Sequence, residues 1–270
     1  MKKLTGGNYR EAMDYILKEP EFNLFIIGDL ENYGLDGPDV SAYTSDSWHG
    51  GMFPFFLLDY RKNYVFYSHD EKFPAEEAAE FLSGCSMKNL SGKKELIERL
   101  LSHLKGLEIV PNYLARLDSL SSEARPASNA RKLGEKDIPS ICNLLYQIDE
   151  FFTIKEKTPE ENQEDIRSSI TNGGRMYGIF EGDILVSVAG TAAENSMSAM
   201  VVSVGTLPGY REKGYASALV ARLCKDCLEE GMKFLCLFYN NPEAGHIYRK
   251  LGFSELGQYA MVRSIHANAS

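Results

Sequence analysis

The passage that most constrains this chain runs from Ala199 to Glu230. It opens with AMVVSVGT, β-branched and small apolar residues that read as a strand, and goes on as LPGYREKGYASALVARLCKDCLEE, which becomes helical at about Gly214. The opening turn of a helix leaves backbone N–H groups without partners and aims the positive end of its dipole outward, which makes it an anion site. Gly209 and Gly214 have the spacing of a G-x-x-x-x-G phosphate loop, but Tyr215 and Ala216 stand where nucleotide hydrolysis needs Lys and Ser or Thr. Phosphoryl transfer is therefore refused. What remains suits a pyrophosphate: Gly214 admits a ligand to the backbone, Arg211 and Lys213 add charge, and Ala216 and Ser217 are too small to block the first turn. The competing reading is a plain Pro-Gly surface turn ahead of an amphipathic helix.

The elements around this passage follow a legible order. The stretch SLSSEARPASNA, 119–130, is Ser/Ala-rich, contains Pro126 and lacks apolar periodicity, so a linker is expected at 121–130. From 131 on, the patterns predict two helices (the second opened by Thr158 and Pro159), three strands, a helix over 214–230, the strand FLCLFY, a helix over 242–250 and a last strand from Phe253. The first half repeats this in outline, with helices near 8–18 and 21–33, strands near 40–48, 51–59 and 63–68, a helix opening at Pro74 and another near 92–104. A duplicated α+β plan is the expectation: residues 1–120, a linker, and residues 131–270.

A second passage, NNPEAGHIYRKLGF, 240–253, follows FLCLFY. Asn241 can cap a helix whose first position is Pro242 and whose end is Gly252, and Ala244 and Tyr248 share a face one turn apart. The two passages together resemble the GNAT N-acetyltransferase superfamily. Its coenzyme A loop, R/Q-x-x-G-x-G/A, is matched by Arg211, Gly214 and Ala216, and its later motif by Asn241, Ala244, Tyr248, Lys250, Leu251, Gly252 and Phe253. The resemblance covers about residues 130–264. It implies tandem GNAT-like domains, each a mixed, mainly antiparallel sheet with flanking helices. The first half shares the order without the chemistry, since YVFYSHDEKFPAEE is acidic and lacks glycine where the anion loop should be.

The resemblance also implies an activity, acetyl transfer from acetyl-coenzyme A to a primary amine of a small molecule or peptide, with no metal. Val202, Val204, Thr206, Arg211, Glu212, Lys213, Gly214, Tyr215, Ala216, Ser217, Asn241, Ala244 and Tyr248 are the expected coenzyme A contacts. Tyr248 is the expected general acid for the leaving thiolate, because a phenol donates a proton readily enough and the family places a tyrosine here. For Asn241, helix cap and ligand stay open together. The base is left between Glu150, Glu194 and a water chain, and His246 falls on another face of the Tyr248 helix. A non-catalytic acyl-coenzyme A sensor uses the same loop and is the alternative function.

Composition excludes other classes. Net charge is -9 over 270 residues, and neither half has a basic excess: 15 basic residues stand against 18 acidic from Pro126 onward. Nucleic-acid binding lacks its electrostatic footprint. MKKLTGGNYREAMDY has no apolar run behind its lysines, and no stretch suits a membrane span, so a cytoplasmic protein with no membrane partner is expected, with a homodimer left open. Five scattered cysteines argue against a disulfide framework, and Cys224 and Cys227 extend an apolar helical stripe with Leu219, Val220, Leu223 and Leu228.

Overall fold

The computed structural model describes residues 1–264. In chain order the first half holds β1 (Lys2–Lys3), α1 (Tyr9–Ile16), α2 (Leu24–Tyr33), β2 (Val40–Thr44), β3 (Phe56–Tyr60), β4 (Asn63–Tyr67), α3 (Ala75–Ser83), β5 (Asn89–Lys93), α4 (Lys94–Leu101) and β6 (Leu107–Leu117). The second holds β7 (Arg131–Lys132), α5 (Ile138–Tyr146), α6 (Phe152–Lys155), α7 (Pro159–Thr171), β8 (Met176–Glu181), β9 (Ile184–Ala192), β10 (Ser198–Thr206), α8 (Tyr215–Glu229), β11 (Phe234–Tyr239), α9 (Pro242–Leu251) and β12 (Ser254–Ser264). The α+β order expected from 131 onward is the one that forms, and the first half repeats it. The helix expected near 92–104 begins two residues later, at Lys94, and Gly92 and Lys93 belong instead to a strand, Asn89–Lys93, that the pattern does not predict. Among the described residues no helix is long and apolar enough to cross a membrane.

Two compact units emerge, Met1–Leu114 with the segment from Leu256, and Ala115–Glu255. The partition differs from a cut after residue 120 for two physical reasons. Tyr259–Val262 of β12 pair antiparallel with Lys93–Leu90 of β5, so the C-terminal strand completes the first unit's sheet. The Ser/Ala-rich stretch is pinned within the second unit: Ser121 N–H donates to Leu251 O (2.9 Å) and Ala127 N–H to Ala218 O (2.9 Å). Residues 265–270 of the expected second half lie outside the described residues.

In the first unit, β4 and β5 pair in parallel from Asn63↔Asn89 to Phe66↔Gly92, while β1–β2, β2–β3 and β3–β4 are antiparallel. Strand alternation divides its core between two faces. Phe56, Leu58, Val65 and Tyr67 pack with Ile16, Ile26 and Leu30, whereas Phe55, Leu57, Tyr64 and Phe66 pack with Ala78, Leu82, Leu96 and Ile97. Each sheet face thus buries the apolar stripe of one helix pair.

The second unit's sheet runs β11-β10-β9-β8-β7, with β10–β11 parallel and β8, β9 and β10 antiparallel. Ile141, Leu144, Leu145 and Ile148 of α5 and the turn after it join Met176, Leu185, Val188 and Leu207 in its core. α8 packs on β8, β9 and β10 through a stripe that includes Cys224 and Cys227, both fully buried, and burial raises both thiols. That is the packing role expected of them. α7 begins where the sequence placed it, with Thr158 and Glu161 closing a reciprocal capping box.

Asp29 lies in α2 between Gly28 and Leu30, and burial pushes its carboxyl up to about 7. A carboxyl raised above its unfolded value of about 4 contributes stability that is complete below pH ~4 and falls away as pH rises through ~7. Asp29→Asn should therefore match the parent in thermal unfolding near pH 4 and exceed it near pH 8, where linkage allows up to about 4 kcal/mol. Equal differences at both pH values would refute the buried-carboxyl assignment.

Candidate active site

The site begins with a parting of strands. β10 and β11 pair from Ser198↔Phe234 to Val201↔Leu237 and stop, although β10 continues to Thr206 and β11 to Tyr239. On its other side β10 pairs with β9 at Val202↔Gly190 and again at Gly205↔Val188, so Ser203 and Val204 together oppose Ala189. This is a β-bulge. Ser203 takes φ 54°, a left-handed conformation that costs a non-glycine residue about 1–3 kcal/mol. Val202, Ser203 and Val204 are half-buried in a strand otherwise buried on both sides of them.

Two features hold the bulge in shape. Ser187 Oγ donates to Gly205 O (3.0 Å) and meets Thr206 Oγ1 at 2.9 Å. At Gly205 a side chain would strike Ile148 Cδ1 (2.8 Å) and Phe151 Cε2 (2.9 Å), so the segment after α5 packs directly on the bulge. Gly205 was missed in reading the sequence, where an isolated glycine inside a strand pattern is the usual sign of a bulge or close approach.

From Thr206 the chain passes through a short 3-10 turn, Pro208–Tyr210, to α8. Glu212 (φ 64°) and Gly214 (φ 77°) both take left-handed conformations and fold the turn back on the helix mouth. No side chain caps α8, so the N–H groups of its first turn, Tyr215, Ala216 and Ser217, face outward without a helix partner. α9 differs: Asn241 Oδ1 accepts the Glu243 N–H at 2.9 Å, which realises the capping reading of Asn241. Arg211, Glu212, Lys213 and Gly214 are exposed. Lys213 Nζ lies 5.0 Å over the Tyr210 ring, and Tyr215 Oη donates to Glu181.

The structure brings two of the expected residues into contact. Arg211 donates to Glu150 Oε2 at 3.0 Å and, through Nε, to Thr206 O at 3.3 Å. The Arg211 guanidinium holds the Glu150 carboxyl below the usual carboxylate range. Glu194 is not brought in. It sits in the turn before Ser198, at the opposite end of β10 from the bulge, and both of its oxygens accept from Arg175 (2.9 and 3.0 Å). Glu194 Oε1 also accepts from Thr191 Oγ1, and Thr191 stands opposite Val201, the last residue of β10 paired with β11.

Tyr248 lies on the same face of α9 as Ala244, and both are half-buried, while His246 is exposed. Its ring packs against Tyr239 and Phe253, each at 5.9 Å between centroids. Burial, with the Cys224 thiol beside it, pushes the phenol up to about 12.

Residues 129–256 match the family profile of the GNAT acetyltransferase domain. Among solved structures, a Drosophila protein is 13% identical and aligns over 97% of each chain with a TM-score of 0.69. A GCN5-related N-acetyltransferase from Kribbella flavida is 14% identical over 80% of this chain and 88% of its own (TM-score 0.58). A GCN5-related N-acetyltransferase-like protein from Streptococcus suis is 14% identical over 96% and 98% (TM-score 0.57). At such identities the likeness is one of fold. No curated protein matches the chain significantly.

Proposed function

Residues 129–256 belonging to the GNAT acetyltransferase domain family, we propose that the second unit transfers an acetyl group from acetyl-coenzyme A to a primary amine of a small molecule or peptide. The observation that carries this reading is the parting of β10 from β11 next to an uncapped helix mouth. The residues present fit coenzyme A: the first turn of α8 offers N–H groups to a pyrophosphate, Gly214 puts no Cβ in the way, and Arg211 and Lys213 supply charge. Acetyl-coenzyme A, when bound, supplies the acetyl group as an activated thioester.

Val202, Val204 and Thr206 form the strand edge that would hold the amides of the cofactor's arm, and the bulge at Ser203–Val204 turns a backbone N–H out of the ladder to face developing negative charge. Glu212, Tyr215, Ala216 and Ser217 complete the pyrophosphate turn, and Ala244 leaves room along α9. Tyr248 holds the proton for the departing thiolate. A phenol at about 12 lies some 3–4 units above a thiol of about 8.5, so full transfer to a free thiolate is uphill by roughly 5 kcal/mol. Proton donation must therefore accompany C–S cleavage rather than follow it. The same elevation keeps Tyr248 protonated at any working pH.

Of the two carboxylates considered, Glu194 is held by two hydrogen bonds from Arg175 and Glu150 by one from Arg211, so Glu150 is the more readily freed base. It is a weak one while Arg211 holds it. A pyrophosphate competing for Arg211 releases Glu150 from its ion pair and restores its basicity.

Free-thiol release from acetyl-coenzyme A against an amine panel tests the activity, and tight cofactor binding with no acceptor at all would favour the sensor reading. Tyr248→Phe should lower single-turnover rates by about 10²–10⁴ with cofactor affinity nearly unchanged, the span expected of general acid catalysis. The parent's rate should show no alkaline fall up to pH ~10, where an unshifted tyrosine would be half ionised; a fall there, or an unimpaired Phe variant, removes Tyr248 from the role. Glu150→Gln should tighten cofactor binding by freeing Arg211 while slowing amine turnover, and Arg211→Ala should weaken binding by about tenfold. Unchanged cofactor affinity in both variants would break the proposed competition.

A further inference from the structure

α9 carries one residue that the helix itself does not ask for. Gly245 lies within it, where alanine is the better helix former, and belongs to none of the motif positions matched in the sequence. The neighbour that requires it is the Tyr239 ring. A Cβ at Gly245 would lie 2.3 Å from Tyr239 Cε2 and 2.9 Å from Cζ, so the ring fills the space that any other side chain would take. Both residues are buried.

Tyr239 ends β11, two positions beyond the Val201↔Leu237 pair at which β10 leaves that strand. Its ring meets the Tyr248 ring at 5.9 Å between centroids and 54° between planes, and Phe253 stands against Tyr248 at 5.9 Å and 64°. Gly245 and Tyr248 are three residues apart, so the niche and the phenol share one face of α9. The Tyr239 hydroxyl donates to Glu255 Oε2 at 2.6 Å. Glu255 is exposed, so water competes for that bond, and the ring rather than the hydroxyl does the placing. The far end of α9 is fixed separately: Ser121 Oγ donates to Lys250 O at 2.6 Å and Ser121 N–H to Leu251 O at 2.9 Å. The ring in its niche therefore sets how closely α9 approaches the parted end of β11 at the level of Tyr248.

We propose that Tyr239 is a positioning residue for Tyr248: seated in the Gly245 niche, its ring fixes the spacing between α9 and the parted strands, and with it the place of the Tyr248 hydroxyl. The inference rests on Tyr248 being the proton donor of the acetyl-transfer reading, and it gives Tyr239 no proton to move. Proton donation is sensitive to placement, and a displacement of about 1 Å costs on the order of 10²-fold in rate. Alanine at position 245 forces a displacement of that size, since non-bonded carbons settle about 3.5 Å apart and its Cβ would stand at 2.3 Å.

The test uses the full chain and single-turnover thiol release with an acceptor that the parent acetylates. Gly245→Ala should lower the rate by about 10²-fold and Tyr239→Leu by at least about tenfold, while Tyr239→Phe, which keeps the ring in the niche, should retain most of it. Because alanine suits a helix interior better than glycine, a rate lost in Gly245→Ala is not the result of a weaker helix. In a Tyr248→Phe background, Gly245→Ala should cost nothing further, since the group it displaces is already gone. Equal losses in both backgrounds, or parent rates in both Gly245→Ala and Tyr239→Leu, would overturn the proposal. A second readout needs no turnover: with ring-labelled tyrosine, the Tyr248 magnetic-resonance signal, assigned by its loss in Tyr248→Phe, should shift in cofactor-free Gly245→Ala. An unmoved signal overturns the proposal whether or not an acceptor is found. If Tyr248→Phe is itself unimpaired, the proton-donor reading fails and takes this role for Tyr239 with it; if Tyr248→Phe is impaired and Gly245→Ala is not, only the positioning role fails.

Discussion

Everything in the second unit depends on the pairing that ends at Val201↔Leu237. A strand inside a sheet normally loses its backbone polar groups to two neighbours, and exposed edges within a fold invite aggregation or a ligand. Here β10 keeps β9 on one side and gives up β11 on the other for its last five residues, Val202–Thr206. The bulge at Ser203–Val204, the packing of Ile148 and Phe151 onto Gly205 and the Ser187 hydrogen bonds are what keep that half-open edge from closing. The turn to α8 then starts from a fixed point, which sets the helix mouth next to the open edge within the unit.

The first unit shows the same order of elements without this constraint. Its parallel pair stays registered to Phe66↔Gly92, one residue short of the ends of β4 and β5, and so leaves no slot between strands. The helix that follows β4 is entered from Pro74 and carries Glu76 and Glu77 in its first turn. Those carboxylates already complement the helix dipole, and a pyrophosphate would meet like charge there. A shared element order therefore fixes where a crevice can form, while strand separation and charge decide what can occupy it.

Local chemistry was legible and non-local pairing was not. Thr158 with Glu161, Asn241 with Pro242, and the turn at Gly214 all act within one helical turn of themselves, so the sequence alone located them. β5 escaped because NLSGK has no β-branched residue and its Asn, Ser and Gly read locally as a turn. That β12 pairs with β5, 168 positions away at the Ser91–Tyr259 contact, has no local signal at all. The same limit governed the site. Arg211 and Glu150, 61 positions apart, were assigned separate tasks, and their ion pair is visible only when the segment after α5 is laid on Gly205. Glu194 is held by Arg175, 19 positions away, a pairing with no local signal either.

The Arg211–Glu150 pair also bears on how the cofactor and the base of the proposed reaction would affect each other. Both side chains are substantially exposed, 44% and 60%, and an exposed ion pair is typically worth only about 0.2–1 kcal/mol. A doubly charged pyrophosphate seated on backbone N–H groups offers Arg211 a stronger partner than one solvated carboxylate does. In the proposed reading, giving up the ion pair itself therefore costs little. Were the pair buried, breaking it would cost several kcal/mol of the cofactor's binding energy. Were it absent, Glu150 would sit as a free carboxylate beside the incoming pyrophosphate and repel it. In the proposed reading, a weak pair at the rim neutralises that carboxylate while the cofactor approaches and is given up at little cost once the cofactor has bound.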